Sequence, residues 1–447
     1  MGMRQRMRHA LAALVIIVTI VTGWGGIVWG EPAEPPGEPP RLTLQQAIQT
    51  ALEKHPVLQS AEFAVRGAEA RFNQARAPYY PQVGGAAIQT NGALRSNSVL
   101  RPAGALIQPN QSDVTVGMAA SQILYDFGQT GSRVDAQRSD KARVEKDALT
   151  RRAEVVLGVE RAYFNVLKRK RLVEIAEQTV RERDVVRRQV ETLYRNQLKS
   201  KLDLGLVQVQ LSDAEFLVIR ARNDLVTAFA ELSNAMGIEG PAAYTLEEIP
   251  IPVESPRALS DLVGEAMERR PELLALKERV RTAEHRIRAA NTLNYPVLQV
   301  IGSAGDTEHI SNRPSLQEGG WWGVGGVVSV PLFTGFLIQN QVAEATAQQR
   351  EAQAVYLAVS QNVQLEVKDS FFDLVTLIQQ IKVVEEQVRI AREALTLASQ
   401  RYKLGLSSIV EVTQSEVAAT EAETRLAATQ YDAKIAEARL RFAIGGI

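Results

Sequence analysis

Residues 68–83 read AEARFNQARAPYYPQV, and residues 283–298 read AEHRIRAANTLNYPVL. Each is a helix-forming run that ends at Tyr-Pro and gives way to residues suited to a strand. Proline cannot continue a helix, and it pushes the residue before it toward extended backbone. The two stretches are copies. Residues 44–83 align with 259–298 without a gap at an offset of 215, which places Pro56 on Pro271, Ala68-Glu69 on Ala283-Glu284 and Tyr80-Pro81 on Tyr295-Pro296. From residue 123 to 239 the match continues against 331–447 at an offset of 208, placing Val134 on Val342, Phe164 on Phe372, Tyr194 on Tyr402 and Gly237 on Gly445. The smaller offset puts seven extra residues between 83 and 123 of the first copy, as an exposed loop tolerates. Self-similarity of this kind governs every element assignment that follows.

Both copies share one grammar. A helix is expected over 44–77, with Thr43 as a usable N-cap. Strands follow over 82–92 and 113–125, joined by a loop holding Pro102 and Pro109. In the second of them Val114, Val116, Met118 and Ala120 alternate with Thr115, Gly117, Ala119 and Ser121, a period of two with unlike faces. Helices then cover 129–197 and 199–236. The second copy repeats this as a helix over 259–292, strands over 297–306 and 321–332, and helices over 337–404 and 407–443. In its last strand Trp322, Val324, Val328 and Val330 share one parity, and Gly323, Gly325 and Ser329 the other. The repeats span 43–240 and 258–447, with a linker over 241–257. The long helices, at about 69 residues, reach roughly 100 Å. The two shorter helices of each copy, laid end to end, match that length. Two copies therefore build four rods of equal length. A rod this long must bury its apolar stripe against neighbours, and Val363, Val367, Phe371, Leu374, Ile378 and Ile381 supply one. On the helices alone the reading is an ordinary long bundle.

Composition agrees. The 447 residues carry 51 basic and 51 acidic side chains, aromatics are 6%, and cysteine is absent. No basic surplus points to nucleic acid, and no disulfide, thiolate metal site or cysteine nucleophile is available. Arg4, Arg6 and Arg8 precede an apolar run over 11–21, and Val28-Trp29-Gly30 offers a cleavage point, so residues 1–30 read as an export signal. An uncleaved anchor extending to Val28 is the rival, although Gly23, Gly25 and Gly26 interrupt it. Residues 31–42 are expected to be a proline-rich, extended lead-in. No later segment is apolar enough for a membrane helix, so a membrane contact falls to the strands or the N-terminus.

The strands change the balance. About ten residues suit a tilted crossing of the bilayer core. Four strands cannot close a barrel, and an open edge is not tolerated in lipid. Several chains must therefore pool their strands, eight from two copies or twelve from three. Tyr79, Tyr80, Tyr125, Trp321, Trp322 and Phe333 cluster at strand ends, where aromatic girdles sit in membrane barrels.

With the duplicated unit, the Tyr-Pro junctions, LYDFG at 124–128, PLFTG at 331–335 and YKLGLSSIVEV at 402–412, the chain resembles the TolC-type outer membrane efflux family over essentially its whole mature length. The resemblance implies a mainly α protein with a β-barrel portion. Three copies would form a twelve-stranded barrel in the outer membrane on a long α-helical periplasmic tunnel. The function implied is the exit duct of a tripartite efflux or type I secretion system, conducting passively. A periplasmic adaptor (membrane fusion protein), an inner-membrane pump and outer-membrane lipid would be its partners. No cofactor or metal is implied. The turns between the long and short helices would form the periplasmic tip where the tunnel closes. Asp203 and Tyr402 fall on the family's gate aspartate and tyrosine, while Ser407 stands where its arginine would. Glu411 matches one acidic ring position, and Gln414 stands uncharged at the second. Loss of Asp203 or of the Tyr402 hydroxyl is expected to loosen the tip. Asn196, Gln197, Leu198, Ser200, Gly405, Leu406 and Ser408 would contact the adaptor, with Asn196 taking the left-handed backbone role that Gly405 has in the other turn.

Catalysis is not indicated. His9, His55, His285 and His309 are scattered, and the glycines at 319–320 and 323–326 sit among tryptophans in a strand, not ahead of a helix. The competing reading is a periplasmic coiled-coil adaptor or scaffold. That would need separate β-rich domains around a single hairpin, and this chain has two equivalent hairpins with no length to spare.

Overall fold

The computed structural model describes residues 41–92, 111–239, 244–250, 255–309 and 319–446. The expected signal, the lead-in to residue 40 and the loop with Pro102 and Pro109 lie outside them. In chain order, β1 (Arg41–Leu42), α1 (Leu44–Lys54), α2 (Pro56–Ala75), β2 (Gln82–Gly92), β3 (Gln111–Tyr125), α3 (Gln129–Arg195) and α4 (Lys201–Ala235) form the first repeat. A short β4 (Thr245–Leu246) lies between the repeats. The second comprises α5 (Leu259–Arg269), α6 (Pro271–Asn291), β5 (Val297–His309), β6 (Gly319–Ser329), α7 (Leu337–Lys403) and α8 (Ile409–Ala443).

Two sequence expectations need correction. Residues 41–42 do not belong to a loose lead-in, because β1 pairs in parallel with β4. The first helix of each copy is two helices, not one. The break falls at His55 (φ −67°, ψ 123°) and Arg270 (φ −62°, ψ 119°), each ahead of a proline at the first position of the next helix. Proline there costs nothing, since its missing N–H would be unpaired anyway. Thr43 does cap α1, through a full capping box with Gln46.

Each break has a seat made by the far end of the same repeat. Gly237, just past α4, adopts φ +70°, and a Cβ there would stand 2.7 Å from His55 Cα. Gly445, just past α8, adopts φ +79°, and its Cβ would stand 3.0 Å from Arg270 N. The two short helices of a repeat therefore meet end to end at the middle of the long one. A buried cluster of Ala47, Ala51, Val159, Phe164, Leu167, Leu232 and Met236 joins α1, α3 and α4 at that level. Leu262, Leu273, Val363, Val367, Leu374 and Leu440 do the same for α5 to α8. Tyr163 adds a device that the second copy lacks. Its buried hydroxyl lies 3.0 Å from the Leu42 carbonyl and 2.9 Å from that of Glu247, so its proton serves the backbone of both β1 and the segment after β4. Burial pushes its pKa up to about 12. Phe371 holds the equivalent position in the second copy.

Beyond this level the halves diverge. In one direction α4 runs along α3, and α8 along α7 and α3, to a shared cluster of Val190, Val207, Ala398, Tyr402, Ile409 and Val412. In the other, α6 lies between α3 and α7, while α2 packs on α3 and leads to the sheet. That sheet has the order β2-β3-β5-β6, antiparallel throughout. β3 and β5 join the repeats, and β2 and β6 are its edges.

Glycine substitution separates strain from clash. Gly405 also has a left-handed backbone, φ +75°, but with open space around it. Gly405→Ala should cost about 1 kcal/mol. Gly237→Ala, which adds a collision with backbone, should cost about 3 kcal/mol. Denaturation midpoints of the detergent-solubilised protein would measure both, and equal losses would refute the seat.

Candidate functional site

Two places carry chemistry, the sheet and the tip. Residues directly opposite one another in the ladder share a face. One face carries Val83, Val116, Met118, Ala120, Ala304, Trp322, Val324 and Val328, with Gln122 and Asp306 among its polar members, and its large apolar side chains stand exposed. The other carries Gln82, Thr115, Ser121, Ser303 and Ser329, with Ile88, Ile123, Val297, Ile301, Trp321 and Val327 also on it. A concavity of about 750 Å³ runs along the sheet, lined by Gln82, Gly84, Ser121 and Ser303 of this face and by Val83, Ala120 and Val324 of the other. A mainly apolar face backed by one richer in polar residues suits a wall between lipid and water.

The aromatics divide between these faces. Trp322 is on the apolar face, and Trp321 is on the polar one. The Trp321 indole lies across two glycines of neighbouring strands, where an added Cβ on Gly305 would be 2.6 Å and on Gly117 3.3 Å from its Cζ2. At the helix end, an irregularity between Ile123 and Tyr125 shifts the register, so that Tyr125 pairs with Leu298 on the apolar face. Phe127 stacks on Tyr295 at 5.3 Å and meets Tyr125 edge-on at 4.8 Å. In the second copy Phe333 and Phe336 meet edge-on. Phe127 and Gly128 are both left-handed, and so are Gly335 and Phe336, which turns each strand sharply into its long helix. Asp126 caps that turn in the first copy, accepting from the N–H groups of Gly128 and Thr130. Tyr80 and Tyr295 stand exposed ahead of Pro81 and Pro296, at the entries to β2 and β5.

At the tip, the left-handed residue of the first turn is Gln197 (φ +59°), not Asn196, which has φ −85°. Gln197 occupies the position of Gly405 in the other copy. Both turns close identically, Leu198 N–H donating to Leu193 O and Leu406 N–H to Arg401 O. Leu198, Leu202, Leu404 and Leu406 are exposed around them.

The polar groups at the tip are mostly spent within their own hairpins. The Asp203 carboxylate accepts from Ser200 N–H at 3.1 Å and from its hydroxyl at 2.9 Å, forming a capping box for α4. Glu411 faces Arg401 at 3.6 Å. The Ser407 hydroxyl lies 3.5 Å from Ala398 O. Ser408 is the N-cap of α8 without a side-chain bond, and Gln414 is exposed. Tyr402 is buried between the hairpins, and its hydroxyl has no hydrogen-bond partner in the protein. Burial first, and then the charge of Asp203, push its pKa up. Lys199 reaches over from the first turn, its Nζ 4.5 Å from the centre of the Tyr402 ring. The sequence reading missed Lys199, yet the 208-residue offset pairs it with Ser407 and so marked it.

Higher up, two further groups escaped the sequence reading. Glu416 on α8 and Arg183 on α3 are both buried. Arg183 donates to the carbonyl of Gln210 on α4 at 2.6 Å. Burial, opposed by Arg183 and reinforced by Glu182, pushes the Glu416 carboxyl up to about 7. No periodicity distinguishes a buried glutamate from a solvated one. Among the described residues no cluster of His, Asp and Glu suits a metal ion.

Comparison with known proteins gives a coherent picture. The profile of the outer membrane efflux protein family matches residues 47–238 and 262–446. The outer membrane protein TolC of Salmonella enteritidis is 24% identical over 421 residues, 90% of this chain and 82% of that protein. The outer membrane protein OprJ of Pseudomonas aeruginosa is 26% identical over 381 residues, 82% of this chain and 76% of its own length. The crystal structure of the outer membrane protein VceC from Vibrio cholerae superposes with a TM-score of 0.77 at 22% identity, covering 90% of this chain and 96% of that one.

Two outcomes follow from the tip. Because its buried hydroxyl is unpartnered, Tyr402→Phe should leave stability unchanged or raise it by about 1 kcal/mol. Tyr402→Ala, which empties a buried site, should cost about 3 kcal/mol and raise single-channel conductance. Equal conductance changes would restore a hydroxyl-based closure. Glu416 sets a pH dependence. Unfolded, its carboxyl titrates near the ordinary 4.5, and folded near about 7. Between those values only the folded chain holds the proton, so stability falls as pH rises through that window. Thermal midpoints should decline from about pH 5 to about pH 7.5, and Glu416→Gln should flatten the decline.

Proposed function

The chain belongs to the outer membrane efflux protein family and is an outer-membrane channel for efflux; on that premise we propose that three copies make one duct. The duct takes what an inner-membrane pump delivers through a periplasmic adaptor and conducts it passively outward. The twelve pooled strands form the barrel, and the helices form the periplasmic tunnel.

Several observations support the trimer. The sheet has two edges, β2 and β6, that run in opposite directions. An edge β6 can therefore pair antiparallel with β2 of the next copy, and the ladder continues without a change of pattern. Edges in lipid have no other partner.

The single observation that carries this reading is an asymmetry between equivalent residues. Phe164 on α3 is 4% exposed, while its copy Phe372 on α7 is 56% exposed. Ile175 is 5% exposed, and its copy Val383 is 69% exposed. The difference lies in the neighbours. Toward the tip α3 is flanked by its own α4 and by α8 of the other repeat, whereas α7 is flanked there by its own α8, with α5 and α6 lying on its other half. Correspondingly, Ala427 on α8 is buried and its copy Ile219 on α4 is exposed. A neighbouring copy whose α4 packs on α7 as α8 packs on α3 would cover all of these at once. The exposed leucines of the tip suit docking of the adaptor's helices, since large bare apolar groups mark contact sites.

The duplication specifies a cross-link. Thr179 on α3 and Thr420 on α8 touch at 3.4 Å between their hydroxyls. The equivalent pair between copies is Gln387 and Ser212. With no native cysteine, a Ser212→Cys, Gln387→Cys double variant should give disulfide-linked species up to the trimer in outer-membrane fractions. Each single variant should give none. Monomer alone from the double variant would sink the trimer reading.

A further inference from the structure

We propose that Lys199 is the cation that keeps the tip shut, by laying its ammonium against the Tyr402 ring across the seam between the two hairpins. This rests on the reading of that end as the duct's closing point. The seam is the surface that must part for the tip to widen, because each hairpin is tightly joined within itself. Its apolar portion is the shared cluster of Val190, Val207, Ala398, Tyr402, Ile409 and Val412. Its polar portion is nearly empty. Asp203 is held by Ser200, Glu411 by Arg401, and Ser407 by the Ala398 carbonyl, each inside its own hairpin. Among the described residues of the two turns, the Lys199–Tyr402 contact is the one direct charged contact that crosses the seam.

Geometry suits the role. An ammonium 4.5 Å from a ring centre lies well inside the range of about 6 Å over which a cation is attracted to the ring's negative face. Lys199 is half-buried, so its charge is partly freed from solvent screening while staying wet on its outer side. Lysine is a point charge on a flexible stem, and it can leave a ring without breaking paired hydrogen bonds. The clasp is therefore firm enough to bias closure and weak enough to be undone by a partner that pulls the hairpins apart. The duplication adds a second argument. Lys199 is the first-copy equivalent of Ser407, so an ammonium stands in one turn where a small hydroxyl stands in the other. Each protomer thus has one such clasp, and the proposed trimer three.

The test is single-channel recording of the full-length protein in planar bilayers with Lys199→Met, Lys199→Arg and Tyr402→Leu. Methionine keeps the length of the stem and removes the charge. Lys199→Met should raise the open fraction about fivefold, and Lys199→Arg should hold it at or below the wild-type value. Tyr402→Leu should open the channel as well, and the Lys199→Met, Tyr402→Leu double variant should add little to it. If Tyr402→Leu opens the channel and Lys199→Met does not, the clasp is overturned while the closing point stands. If neither variant changes conductance, the closing point itself is misplaced. If methionine and arginine open the channel alike, stem fit and not charge governs the seam, and the proposal fails. Trimers on a native gel would show that each variant still assembles.

Discussion

A β-strand edge has nowhere to hide in a lipid bilayer. Its N–H and C=O groups must be paired, because the hydrocarbon offers no substitute. This chain makes four strands and leaves two edges. Everything else in the molecule is consistent with that deficit being met by further copies. The large apolar side chains of one sheet face are bare, and the long helix of the second repeat lacks the neighbour that its first-repeat equivalent has. The proposed assembly that closes the sheet would also cover Phe372 and Val383.

Half-length helices raise a separate problem. Two of them must cover one long helix, so they meet midway and both ends there need satisfying. The chain solves this twice in the same manner. A proline starts the outer helix without wasting an N–H, and a left-handed glycine from the other helix lies against the break. Gly237 meets His55, and Gly445 meets Arg270. In the first repeat Tyr163 also fastens the strand pair β1–β4 onto this level. The halves of each rod are thereby seated against one another where they meet, and the two ends are left to differ, one in the sheet and the other in the proposed closure.

The tip has few polar contacts between hairpins. Its acids are engaged locally, and the buried phenol of Tyr402 has no protein partner. Among the described residues of the two turns, what bridges the seam is an apolar cluster and one ammonium over an aromatic ring. Such contacts are non-directional or weakly directional, which would suit the proposed closing point.

The amino-acid sequence alone determined the duplication, the long helices and the strands, and it raised the expectation of more than one chain. Those properties are written in periodicity, in matched prolines and in chain length, and each depends on neighbours close in sequence or on simple counting. Tertiary structure decided what depends on distant groups. The break at Pro56 read as part of one helix, because a proline at a first helical turn is compatible with either interpretation until Gly237 is seen against it. Asn196 looked like the left-handed residue of its turn, yet Gln197 takes that backbone, since the closing hydrogen bonds outrank local preference. Asp203 and Tyr402 were recognisable as residues of the tip, but their partners were not. Whether Asp203 caps a helix or bonds to a tyrosine, and whether Lys199 meets water or a ring, is settled by how two hairpins nearly two hundred residues apart lie against each other. No local pattern records that packing.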